Sequence, residues 1–255
     1  MKLNNYIQIF LLLFILLFAA CNSQIKPDIQ SNIYIEKAKI NEFQKITLIT
    51  EDNIEIKATY FQQKKISPSV ILLHQLGRDK TTYNSLAKKL FDNGFNVIAL
   101  DFRGHGESIK NKQLAKLTNK DFQDTVKDIK TIYNFILTKN TTNINQISLL
   151  GASLGANSAL IFATASPIPN INKIVLLSPG IEYRGLNIEE AIKKYSNNLM
   201  TITSKKDRYS FETAQKIEKE TTAKHTLILL ENDGHGTDLI KDITIEHDII
   251  NWLKQ

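Results

Sequence analysis

Short, almost uninterrupted apolar runs alternate with amphipathic segments along most of this chain. "SVILLHQ" (69–75), "FNVIALD" (95–101), "QISLLGA" (146–152) and "NKIVLLSPG" (172–180) have the length of strands and the composition of segments buried on both faces. Between them lie "TTYNSLAKKLFDNG" (81–94), which stops at a glycine, and "DFQDTVKDIKTIYNFILTK" (121–139). The second of these places Phe122, Val126, Ile129, Ile132, Tyr133 and Ile136 on one helical face. The alternation continues with "LMTITSKKD", "SFETAQKIEKE", "KHTLILLEND" and "TIEHDIINWLKQ". Strand–helix alternation of this kind predicts an α/β fold, a mostly parallel sheet with helices on both faces. "IYIEKAKI", "QKITLIT" and the period-two segment "IEIKATYF" (54–61) add strands ahead of it.

The 255 residues suffice for one large core. The net charge is +6, but arginine occurs only at Arg78, Arg103, Arg184 and Arg208, and no basic run is interleaved with aromatics. Nucleic acid is therefore not expected as a partner. The first 21 residues, "MKLNNYIQIFLLLFILLFAAC", hold one lysine, an apolar run from Tyr6 to Ala20 and small residues before Cys21. The run is shorter than the ~20 residues that span a bilayer and reads as a signal-peptide core with its cleavage site. "FAAC" resembles a bacterial lipobox, which implies lipid modification of Cys21 and anchorage to a membrane of the cell envelope. Cys21 is the only cysteine, so no intrachain disulfide can form. The expected organisation is a leader over 1–20, a lipidated tether over 21–34 and a single domain over 35–255.

Parallel sheets of this class bind ligands beyond the carboxyl ends of their strands. Five predicted strand ends carry small or polar residues there: "HQLG" (74–77), "DFRGHGES" (101–108), "GASLG" (151–155), "SKKDR" (204–208) and "NDGHG" (232–236). G-x-S-x-G between a strand and a helix is the context of a nucleophile elbow, in which a sharp turn exposes the serine and demands small neighbours two positions away. Ser153 is the candidate nucleophile. Of the five histidines, His225 and His247 lie in predicted regular elements, His105 in the "RGHG" turn and His74 in "HQLG".

Taken in this order, the motifs resemble the α/β-hydrolase family over residues 45–255. The resemblance implies a serine esterase- or lipase-like enzyme with the triad Ser153, Asp207 and His235, acting on a small-molecule ester or thioester without a cofactor. It places the base in the loop after the last strand and the acid after "LMTITSKK"; Asp233 is read as a turn residue and Asp101 as a brace for the "RGHG" turn. The oxyanion donors it implies are the backbone N–H groups of Leu154 and Leu76, with Gln75 as second candidate. No H-x-x-x-H or C-x-x-C spacing calls for a metal. Between "LLSPG" and "LMTITSKKD" there is room for about one helix, "NIEEAIKKY", so no large cap is expected. A membrane-anchored binding protein that keeps the fold without turnover is the competing expectation.

Overall fold

The computed structural model describes residues 34–36, 43–231 and 234–255, all within one compact unit, Ile33–Gln255. The leader, Cys21, most of the tether and Asp233 lie outside the described residues.

Nine strands form one sheet: β1 (Tyr34–Glu36), β2 (Gln44–Ile49), β3 (Glu55–Phe61), β4 (Ser67–Leu73), β5 (Asn96–Leu100), β6 (Thr142–Ala152), β7 (Lys173–Leu177), β10 (Asn198–Ser204) and β11 (Lys224–Leu230). Their spatial order is β1-β2-β3-β5-β4-β6-β7-β10-β11. From β5 to β11 every neighbouring pair is parallel, whereas β1, β2 and β3 join antiparallel at one side. The chain leaves β4 toward β5 on one side and returns to β6 on the other. This reversal opens a crevice between the carboxyl ends of β4 and β6.

Alternation along the central strands sends side chains to two cores. Ile71 and Leu73 of β4 pack with Ile129, Ile132 and Leu160, while Val70 and Leu72 pack with Leu86, Leu90, Ile249 and Leu253. The first layer is built on α3 (Thr125–Leu137), α4 (Leu154–Ala163) and α5 (Glu189–Lys194), and the second on α1 (Asn84–Asp92) and α7 (Ile243–Lys254). A further helix, α6 (Arg208–Glu220), adds Ile217 to the first. Burial on both faces explains why the sequence of these strands is continuously apolar.

Three expectations need correction. The helix expected over 81–94 opens as a 3-10 turn, Lys80–Tyr83, whose cap is the Asp79 carboxylate accepting from Thr81 N–H; α1 begins only at Asn84. The helix expected over 121–139 is split into α2 (Asn119–Gln123) and α3, interrupted at Asp124. A capping box between Thr118 and Asp121 starts α2 early. At its end the Thr125 hydroxyl donates to the Phe122 carbonyl at 2.6 Å and competes with the backbone for it. Third, a hairpin of β8 (Glu182–Tyr183) and β9 (Leu186–Asn187) precedes α5. Its two-residue turn, Arg184–Gly185, has φ of 53° and 84°, both positive, as the twist of a tight hairpin requires. The hairpin and α5 are all that lies between β7 and β10; there is no large cap.

Candidate active site

Ser153 lies between β6 and α4 with φ 49° and ψ −110°, a conformation that costs an L-residue about 1–3 kcal/mol. The turn is this tight because β6 and α4 nearly touch. A Cβ on Gly151 would lie 2.2 Å from the Gly155 carbonyl oxygen, and one on Gly155 would lie 2.2 Å from the carbonyl oxygen of Leu73 on β4. Both contacts are with backbone, which cannot swing aside. The strain is held by Ser153 N–H donating to Leu177 O at 2.9 Å and by the first turn of α4 closing on Ser153 O.

Ser153 opens into a cavity of about 270 Å3, whose walls also include Gln75, Leu76, Asn157, Tyr183, Tyr209 and His235. His235 Nδ1 stands 2.7 Å from Asp207 Oδ2. The Asp207 side chain is 17% exposed and that of His235 46%. Nδ1–H donates to the carboxylate, and in the neutral ring this leaves Nε2 as the acceptor. The structure thus brings Ser153 and His235 to one cavity and joins His235 to Asp207. Of the remaining histidines, His225 is occupied by Glu218 and Thr201, and His247 contacts Asn251 on α7.

His74 is fully buried and shapes the first of the five loops. Its Nδ1 donates to Gln75 O at 2.8 Å, and its Nε2 accepts from Phe102 N–H at 3.0 Å. Arg78 N–H also donates to Gln75 O. A trans peptide points its N–H opposite to its carbonyl, so fixing the Gln75 carbonyl fixes the direction of Leu76 N–H. Among the described residues neither Leu76 N–H nor Leu154 N–H donates to a protein acceptor. Leu154 opens α4, where the helix dipole adds a partial positive charge.

Both roles of His74 need a neutral ring, and burial pushes it down to about 3. Burial lowers His105 and His225 as well. Below about pH 6.5 the unfolded chain takes up protons that these folded rings refuse, so stability is lost as pH falls. Asp128, pushed up to about 6 by burial against the pull of Arg103, opposes them. Three rings against one carboxyl leave a net loss of stability as pH falls from about 6.5 to 5. Urea unfolding across that window checks it, and a profile that is flat or rises toward acid pH would overturn this balance.

Side chains that sequence reasoning passed over hold the histidine loop. Gln75 Oε1 accepts from Thr237 N–H at 2.6 Å and from the Thr237 hydroxyl at 3.0 Å. Ser178, itself at φ 48°, accepts from Gly236 N–H at 3.0 Å. Gly236 has φ 58°, and a Cβ there would lie 2.2 Å from Gln75 Oε1. Asn157, one turn after Ser153, accepts from Gly180 N–H and donates to the carbonyls of Gly180 and Leu186. Its signal was legible, since an asparagine inside the apolar helix "GANSAL" has to be satisfied by something. Asp101 accepts from Lys80 N–H, Lys80 Nζ and Glu107 N–H and so closes the "RGHG" turn. No cluster of three or more potential metal ligands occurs among the described residues.

The family described as serine aminopeptidase, S33, matches residues 64–235. Over 121 residues the chain is 29% identical to an uncharacterized protein of Mycobacterium tuberculosis, a match covering 48% of this chain and 32% of that protein. The chain spans about a third of the length of the curated relatives it matches. Among solved structures, an esterase from Pyrococcus furiosus superposes with a TM-score of 0.70 at 18% identity, over 84% of this chain and 91% of that one. Dienelactone hydrolase from Anabaena variabilis gives 0.69 at 13% identity, over 84% and 98%. Strand order, elbow and a match to about two thirds of the sequence agree, and the chain belongs to the serine aminopeptidase S33 family of α/β hydrolases, a family of serine hydrolases.

Proposed function

We propose that the chain is a carboxylic-ester hydrolase that works through an acyl-enzyme on Ser153. The observation that carries this reading is the strained Ser153 at a cavity that His235, itself hydrogen-bonded to Asp207, also lines. A serine hydroxyl needs a base to become nucleophilic. In the proposed reaction Ser153 Oγ attacks the ester carbonyl carbon while its proton passes to His235 Nε2. Asp207 holds the ring in the tautomer that can accept that proton and stabilises the imidazolium. The tetrahedral oxyanion lies between Leu154 N–H and Leu76 N–H. Leu76 is preferred to Gln75 because the hydrogen bonds to the Gln75 carbonyl fix the direction of the Leu76 N–H. Collapse breaks the bond to the alkoxy oxygen, which leaves with the His235 proton. Water, deprotonated by His235, then frees Ser153 and yields the acid.

The cavity favours esters with short acyl groups, being at the small end of ligand sites. It favours esters over amino-terminal amides as well. An aminopeptidase must hold a substrate ammonium, and no aspartate or glutamate lines this cavity among the described residues. Solved relatives of the fold include proteins named as esterases. The proposed setting is a cell envelope, with an acyl anchor on Cys21. No helix of the described residues is long and apolar enough to cross a membrane.

A fluorophosphonate probe tests the reading, because it bonds only to a serine activated by a base and an oxyanion hole. The chain is expected to label and Ser153→Ala is not. A folded chain that fails to label would instead favour a binding protein that keeps the fold.

A further inference from the structure

The six connections at the amino ends of the parallel strands, between described elements, contain no aspartate or glutamate. They are residues 62–66, 93–95, 138–141, 164–172, 195–197 and 221–223. Lysines collect there instead: Lys64 and Lys65 before β4, Lys139 before β6, Lys173 opening β7, Lys194 ending α5 and Lys224 opening β11. Lys219 and Lys254 end α6 and α7 at the same level. None of these eight pairs with a carboxylate among the described residues. The acids that reach this end are matched, Asp92 by Lys88 and Glu220 by Lys216 on their own helices and Glu218 by His225 at the start of β11. Elsewhere lysines have acidic partners, as in Lys45–Glu107, Lys112–Asp121 and Lys130–Glu51. Among the described residues the lysines of this end therefore lack the carboxylate partners that these others have.

Large apolar side chains stand in the open at that same end. Ile66 is 69% exposed, Ile144 54% and Ile168 79%, each on a connection or at the start of a strand. The same end carries a cavity of about 350 Å3 walled by Lys173, Lys224, Lys254, Trp252, Asn198 and Gln255. Lys173 Nζ reaches it from beneath, donating to the carbonyls of Trp252 and Leu253.

Unpaired ammonium groups around isolated isoleucines and a half-buried tryptophan fit an interface that is anionic at the surface and apolar just below it. Lysine stems follow the apolar surface while their ends reach phosphates; tryptophan favours the boundary layer. We propose that the amino-end face of the sheet docks on an anionic phospholipid bilayer, with a headgroup phosphate at the cavity beside Lys173, Lys224 and Trp252. Nucleic acid would meet neither arginine nor stacked aromatics here. Docked in this way, the opening at Ser153, at the opposite ends of the strands, faces away from the lipid.

Trp252 is the only tryptophan of the chain, so its fluorescence reports this face alone. The full chain, incorporated from detergent, is compared in vesicles of phosphatidylcholine and of phosphatidylcholine with an equal part of phosphatidylglycerol, each carrying brominated acyl chains as quenchers. Quenching is expected in the anionic vesicles only, and is relieved by salt. Lys64→Gln, Lys65→Gln and Lys224→Gln together remove three exposed charges and leave the fold intact by thermal melting. They are expected to shift docking about a hundredfold, a factor of about five for each lysine near an anionic surface. Equal quenching in both vesicle types overturns the proposal, as does quenching that survives the triple substitution. A change of Trp252 emission with inorganic phosphate or an oligonucleotide as large as that with anionic vesicles overturns it too.

Discussion

Ester turnover by Ser153→Ala, by His235→Ala and by the double variant is expected to fall by nearly the same factor, on the order of 10^4 or more. The equality is the informative part. If the two residues acted independently, the losses would multiply and the double variant would lie far below either single one. In the proposed site they act as one unit. Without His235 the Ser153 hydroxyl keeps its proton and is a poor nucleophile, and without Ser153 the base has no proton to take. What remains in all three is the pair of backbone donors on Leu76 and Leu154 and the cavity itself. Initial rates on a short-acyl aryl ester, measured on chains of matched melting temperature, decide it. A double variant much slower than either single one would separate the two residues and dismantle the proposed relay. Asp207→Asn belongs in the same series. It keeps the contact with His235 but favours the wrong tautomer, and a loss on the order of 10^4 is expected from that alone.

Gly155→Ala carries the largest expected cost in stability. The added methyl would lie 2.2 Å from Leu73 O and 2.8 Å from His74 O. Neither atom belongs to a side chain that could rotate away, and β4 is the central strand between β5 and β6. Relief requires α4 to lift off the sheet, which pulls apart the core layer that holds Leu154, Ala156 and Leu160. A loss of about 3 kcal/mol or more is expected, which in a domain of this size lowers the melting temperature by roughly 10 °C. Gly94→Ala is the matched control. It has φ 92° but nothing within 4 Å of its Cβ, so it costs about 1 kcal/mol of backbone strain. Calorimetry of the two variants separates steric contact from backbone strain. Similar melting temperatures for both would mean that the elbow yields more easily than its contacts indicate.

The features legible in the sequence are those carried by neighbours along the chain. Continuous apolar runs betray strands covered on both faces. The glycines flanking Ser153 betray a backbone with no room for a Cβ. The order of polar strand ends suffices to place five loops at one edge of a sheet. The features that stay hidden depend on contacts far apart in sequence or on a single competing hydrogen bond. Gln75 meets Thr237 across 162 positions, and a glutamine in a loop gives no sign of which loop it will hold. Ser178 ends its strand in a left-handed conformation, although serine has no preference for one. The interruption at Asp124 turns on one hydroxyl of Thr125, invisible against an unbroken pattern of helix formers. The hairpin at Arg184–Gly185 is too short to show a strand periodicity at all.

The bond from Gln75 to Thr237 has a dynamic consequence. The loop bearing His235 takes its shape from partners on other loops, Gln75 and Ser178, rather than from a ladder of its own. Gln75 belongs to the loop that also aims Leu76 N–H. The loops that carry Leu76 and His235 are therefore tied to each other through the Gln75 side chain, and motion of one is coupled to motion of the other.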